Sequence, residues 1–495
     1  MNVSAGWEAA SGTTESTNAH YRGFPSGEFH SLNYAAEVYK KPTRTENTTR
    51  RVSVLASANY TWNDIYLVDA SVRFDGSSEF GANQKWAPFF SGGLGVNIHN
   101  YDFFKSNGYI NKLKLRASYG RTGKVNFPAY AATTMYETLF DEWYITGYGA
   151  VLKALGNKDL TWEKTDKLSV GIETKTFHDR LTVDFEYYYN KTIDLVNDVT
   201  LSQTSGFSTY KDNMGQVANK GVELKLRADI YRDRNWDVAL WGNMAHNKNE
   251  ILKISDSQKA YNERVAAYYK NEALYQETLG LSHGAEYSVP LPQYEEGASL
   301  TSIWAVRSLG IDPTTGKEIF LNRDGSIADK WNAAQEVVVG NTEPKCSGAF
   351  GLNLSYKNWT LFASFLYEWG GQEYNQTLVN NVENADLVNK NVDLRVLTDR
   401  WKKPGDIAQF KDIKDRGMTT LPTSRFVQDK ALVRLNSLNV SYDFNRDWIK
   451  KHLRMNLLRL EASTSDLINW SSIKQERGLS YPRSWKVEFS LKAQF

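Results

Sequence analysis

The last eleven residues, WKVEFSLKAQF (485–495), alternate without interruption between two chemistries. Trp485, Val487, Phe489, Leu491, Ala493 and Phe495 occupy one phase, and Lys486, Glu488, Ser490, Lys492 and Gln494 the other. A period of two puts each set on its own face of an extended strand. A strand with one wholly apolar face and a terminal aromatic fits the closing strand of an outer-membrane β-barrel, where lipid-facing and lumen-facing residues must alternate.

The pattern recurs upstream. Leu181, Val183, Phe185, Tyr187 and Tyr189 oppose Thr182, Asp184, Glu186, Tyr188 and Asn190; Val222, Leu224, Leu226, Ala228 and Ile230 oppose Glu223, Lys225, Arg227, Asp229 and Tyr231. Further strands are predicted at 52–62, 65–75, 89–98, 112–121, 167–177, 237–247, 347–356, 359–369, 432–444 and 453–463. Near Asn436 and Ser437 the apolar phase slips, which predicts a β-bulge. Short turns at 63–64, 178–180, 232–235 and 357–358 alternate with long polar loops at 191–219, 249–302, 370–430 and 466–484. Short turns on one rim and long loops on the other are the outer-membrane pattern, the short side periplasmic.

Composition narrows the classes. Lys plus Arg number 59 against 57 for Asp plus Glu, so nothing favours nucleic acid. Aromatics reach 13%, natural where two girdles mark membrane interfaces, though a Tyr- and Trp-rich carbohydrate-binding or adhesin-type soluble β protein would share it. The single Cys346 excludes an internal disulfide framework. No run approaches the roughly 18 apolar residues of a spanning helix, and a mean hydropathy of -0.53 is compatible with a barrel whose lumen is wet. The start, MNVSAGWE, has neither a basic nor an apolar segment of a secretory signal, so the chain reads as the C-terminal part of a longer protein.

YTWNDIYL (60–67) followed by ASVRFDGSSEFG (70–81) resembles a signature of SusC/RagA-like TonB-dependent transporters of Bacteroidota. In order along the chain follow LKLRASYGRTG (113–123), LTWE (160–163) with Val170 and Gly171, NMGQVANKGVEL (213–224), GIDPTTG (310–316), DRWKKPGD (399–406), SRFVQD (424–429) with RLNSL (434–438), and Tyr481 with Pro482. The resemblance covers nearly the whole chain and implies a plugged barrel of the roughly 22-stranded kind. It also implies TonB-driven import of oligosaccharides or peptides, with a SusD-like lipoprotein as extracellular lid. Residues 1–495 supply only about 14 strands of about 9 to 11 residues each, with no plug domain, so this portion alone is expected to leave two sheet edges open and not to transport.

Catalytic signatures are missing. The seven His are scattered without HExxH, and there is no GxSxG elbow or P-loop. A barrel-embedded hydrolase is the least favoured reading, and the chain is expected not to be an enzyme. No metal or cofactor is expected: the acidic stretch 312–329 fails calcium-loop spacing and reads as two turns. Substrate contacts are expected from aromatics. Tyr187, Tyr189, Trp359, Tyr367 and Trp369 share the apolar phase and read as girdle, whereas Tyr188 and Phe362 lie on the lumen phase. Among loop aromatics, Tyr287, Tyr294, Tyr374 and Trp401 are candidates for contact with substrate or lid. The chain is thus expected in the outer membrane, in contact with lipid.

Overall fold

A computed structural model describes residues 1–494 except 26–30, 106–107, 126, 128–129, 146, 201–208, 214, 271–293, 390–391, 415–419, 445 and 475–483. Among the described residues, fourteen strands follow one another along a single antiparallel sheet. They are β1 (Asn2–Arg22), β2 (Glu37–Trp62), β3 (Tyr66–Ser77), β4 (Trp86–Asn97), β5 (Ile110–Lys124), β6 (Glu163–Thr176) and β7 (Leu181–Ile193). The path continues through β8 (Gln216–Arg232), β9 (Trp236–Lys253), β10 (Cys346–Tyr356), β11 (Trp359–Tyr374), β12 (Val427–Asp443), β13 (Leu457–Thr464) and β14 (Val487–Gln494). Each pairs with its neighbours in chain order, and the sheet is open: β1 pairs with β2 alone and β14 with β13 alone.

Cross-strand register sorts the two chemistries onto two faces. One row across β1 to β4 reads Ala5, Ala56, Val72 and Phe90; the adjacent row reads Ser4, Ser57, Ser71 and Ser91. The hydroxyls bond along their row, Ser4 to Ser57 and Ser71 to Ser91 at 2.7 Å each. Among the described residues no second sheet covers the apolar rows. Val72 is 58% exposed, Leu94 63% and Phe489 75%. A sandwich would bury these residues between sheets, so the soluble reading fails here. Such a face is stable only against hydrocarbon. The predicted bulge is present: pairing passes from Ser364–Ser437 to Phe365–Leu435 and skips Asn436, which keeps Leu435 and Leu438 on the outer face.

Aromatic side chains bound the apolar band. On the short-turn side Trp62 stacks on Tyr66 at 5.4 Å, Trp236 lies 4.2 Å from Tyr356, and Trp359 4.8 Å from Tyr442. On the other side Phe74 stacks on Trp86 at 5.5 Å, and Trp369 stands exposed. Trp359 to Trp369 spans about 34 Å of strand at about 3.4 Å per residue, which a tilt of about 40° shortens to about 26 Å, the thickness such a band requires. The tight turns use left-handed backbone: Asn63 (φ 50) and Asp64 (φ 56), followed by Ile65, join β2 to β3 in a three-residue hairpin loop closed by the Trp62–Tyr66 pair. Two connections on this rim are longer than the tight turns, one carrying helical turns at 98–105 and the other a helix, Arg446–Leu453.

The long connections are not bare loops. Hairpins form at Met135–Tyr144 with Gly147–Ala154 and at Val196–Thr200 with Thr209–Asn213. After β9 come a helix, Asp256–Lys270, and a four-stranded sheet ordered Ile327–Ala328, Glu318–Leu321, Ser302–Ile311 and Glu336–Asn341. The acidic stretch forms turns, with the Asp312 carboxylate accepting from Thr314 N and that of Asp324 from Ser326 N. Leu378, Val379, Val382, Val396, Phe410 and Phe426 make a separate hydrophobic core. Inside this layer Glu336 is 1% exposed, and its Oε1 has no hydrogen-bond partner. Burial pushes its carboxyl up to about 7, against the opposing pull of Arg323. The unfolded chain therefore releases this proton first, and stability falls as pH rises from about 4.5 to about 7, by at most about 3 kcal/mol. Hydrogen exchange in Ser302–Ile311, corrected for intrinsic rates, is expected to quicken over that window, and Glu336→Gln to remove the dependence.

Candidate functional site

The inner face between β5 and β9 carries the densest polar construction. Arg116 on β5 reaches over β6 to Asp184 (2.8 Å) and Glu186 (2.7 Å) on β7. Gly171 makes the crossing possible, since a Cβ there would lie 2.8 Å from Arg116 Nε. The same device recurs one strand pair along, where Tyr188 lies across Gly221, whose Cβ would meet its hydroxyl at 2.6 Å. Tyr188 thereby donates to Asn247 Oδ1 at 3.0 Å, and Asn247 Nδ2 donates to Asn219 Oδ1 at 3.2 Å. Ser118 and Ser169 face each other at 2.9 Å.

Of these groups Ser118, Ser169, Glu186, Tyr188, Asn219 and Asn247 line a cavity of about 520 Å³, together with Lys167, Leu168, Asn190 and Glu223. Its surface is a mosaic of hydroxyl, amide and charged groups, able to exchange hydrogen bonds with water or a polar ligand. Among the described residues no His lines it, and Glu186 is paired with Arg116. Among the described residues no group of three His, Cys, Asp or Glu is placed to hold a metal ion.

The sequence-predicted aromatics separate in space. Tyr188 belongs to this cavity. Phe362 pairs across the sheet with Asn353 and Asn439 on the inner face and stacks on Trp241 at 6.2 Å. Trp241 was not among the predicted residues, although its phase, opposite to Val238 and Leu240, carried the signal. The Tyr294 carbonyl accepts from Asn262 Nδ2, on the Asp256–Lys270 helix, at 2.9 Å. Tyr287 lies outside the described residues.

Two further candidates, Trp401 and Tyr374, are packed into the extracellular layer. Trp401 is 8% exposed and donates through Nε1 to the Pro313 carbonyl at 2.8 Å, filling the space above Gly316. Tyr374 packs edge-on against Phe426 at 6.1 Å, and burial pushes its phenol up to about 12. Both serve the folding of the extracellular layer, because the hydrophobic gain of covering an indole or phenol ring exceeds that of leaving it in water.

Residues 2–457 match the family described as TonB dependent receptor-like, beta-barrel. The chain belongs to this family. It is an outer-membrane β-barrel protein, and no described helix is long and apolar enough to cross a membrane. The TonB-dependent receptor P39 of Formosa agariphila is 27% identical over 95% of this chain and 49% of its own length. The TonB-dependent receptor SusC of Bacteroides thetaiotaomicron is 30% identical over 49% of this chain and 25% of its own. Among solved structures, the RagAB peptide importer in its open-open state superposes with a TM-score of 0.80 at 22% identity, covering 99% of this chain and 52% of that one. The chain spans about half the length of the curated relatives it matches.

Proposed function

We propose that the chain forms part of the barrel wall of a TonB-dependent importer that carries bulky polar nutrients, oligosaccharides or peptides, inward across the outer membrane. The observation that carries this reading is the division of single strands into a lipid-compatible face and a hydrogen-bonding face, within a chain of this family. Likeness to SusC and to a peptide importer supports the two substrate classes, and a polar wall suits either. In this reading a SusD-like lipoprotein covers the extracellular layer, and TonB acts through a plug domain carried by the rest of the protein. Further strands pair with β1 and β14, because each backbone group left unsatisfied in hydrocarbon costs several kcal/mol.

Deleting the full-length gene tests it. Entry of labelled oligosaccharides or of labelled oligopeptides should fall to background, return on complementation, and fall again when TonB is deleted. Loss of extracellular cleavage with entry of the cleaved products intact would instead identify a hydrolase.

A further inference from the structure

The outer face changes chemistry at its extracellular edge. Above the apolar rows, register places Leu168, Tyr189, Lys220 and Lys248 side by side; the row beneath is Val170, Tyr187, Val222 and His246. Lys220 and Lys248 are thus directly opposed, an arrangement that works against strand pairing. A single carboxylate, Glu250, serves both, at 3.7 and 3.6 Å, and the two side chains stay 44% and 61% exposed.

Beside them the sheet is notched. β10 begins only at Cys346, while β9 and β11 continue up to Lys253 and Tyr374. The gap is a cavity of about 550 Å³ whose wall includes His246, Lys248, Lys345 and Trp369. Trp369 lies on the outer face opposite Cys346, and the Lys345 stem packs over Gly370. His246 Nδ1 donates to the Lys345 carbonyl at 2.7 Å, which ties the two sides together. The other charges of the notch already have partners: Glu343 accepts from Asn249 N, Asp429 from Gln372 Nε2, and Lys430 pairs with Glu368 and Glu373.

We propose that this notch binds the phosphate of a phosphorylated glycolipid in the outer leaflet. Lys248 and Lys345 line the notch at headgroup height and Lys220 stands beside Lys248 on the neighbouring strand, Trp369 supplies the amphipathic ring suited to that level, and Val222 and Leu224 below offer a seat for acyl chains. Position decides against a soluble anion as the natural occupant, since the site continues the lipid-covered face. The inference needs only the barrel's place in the outer membrane and is independent of what is imported.

The test uses the full-length protein, purified in mild detergent, with lipid A and enzymatically dephosphorylated lipid A as probes, read by native mass spectrometry. The wild type should prefer the phosphorylated form. Combining Lys220→Gln, Lys248→Gln and Lys345→Gln should weaken its binding on the order of a hundredfold, given that each lysine's attraction to an anionic lipid surface contributes a factor of about five. The folded barrel's gel mobility reports whether that variant is intact, and replacing the same three lysines with Arg should retain the preference. Equal binding of both lipids by the wild type, or undiminished binding by the folded Gln variant, would overturn the proposal.

Discussion

Val72→Arg in the full-length protein will cost about 2 kcal/mol of folding stability in a bilayer, the penalty for a cation on the lipid face between midplane and interface. Val72 sits between Ala56 and Phe90 on the outer face, more than half exposed, within the band bounded by Tyr66 and Phe74. Ser71→Arg, one residue away, will cost no more than about 1 kcal/mol, because its side chain enters the wet side and loses only the hydroxyl contact to Ser91. Urea titrations of both variants in vesicles, followed by tryptophan fluorescence, make the comparison. Equal costs at the two positions would mean that the faces do not differ in solvent.

The second large effect lies in the extracellular layer. Arg425 bonds Glu383 at 2.6 Å and Glu318 at 3.0 Å, and Glu383 is wholly buried. Its guanidinium also lies 4.4 Å above the Phe426 ring. Burial by itself would lower its pKa; the bonds to Glu383 and Glu318 override that and hold it above its ordinary value. Arg425→Met would strand two carboxylates without their counter-charge, at a cost of about 3–5 kcal/mol. Hydrogen exchange should rise across 374–426 while the strands facing lipid keep their protection, since the layer has its own core. A variant that exchanges like the wild type would show that Arg425 does not hold the layer together.

The wall was legible because lipid and lumen impose opposite chemistries on successive residues, and a slip such as that at Asn436 is visible as a change of phase. β1 was missed for the same reason inverted. Its outer face is Val3, Ala5, Trp7 and Ala9 against Ser4, Gly6 and Glu8, and small side chains give alternation too little contrast. The extracellular layer escaped because its contacts are remote in sequence: Trp401 is buried by Pro313 and Gly316, and Glu318 meets Arg425 through folding alone. Within the candidate site, Tyr188 could be placed by parity. The glycines that let Tyr188 and Arg116 lie across neighbouring strands, Gly221 and Gly171, become meaningful only once register is known.

Spin labels placed singly from Leu67 to Phe74, in full-length protein with Cys346 replaced by Ser and reconstituted in bilayers, address the account most directly. Collision with oxygen should peak at Val68, Ala70, Val72 and Phe74, and collision with a water-soluble nickel complex at Leu67, Asp69, Ser71 and Arg73. Low accessibility to both reagents at the even positions would place those side chains inside a protein core and contradict the lipid-facing wall.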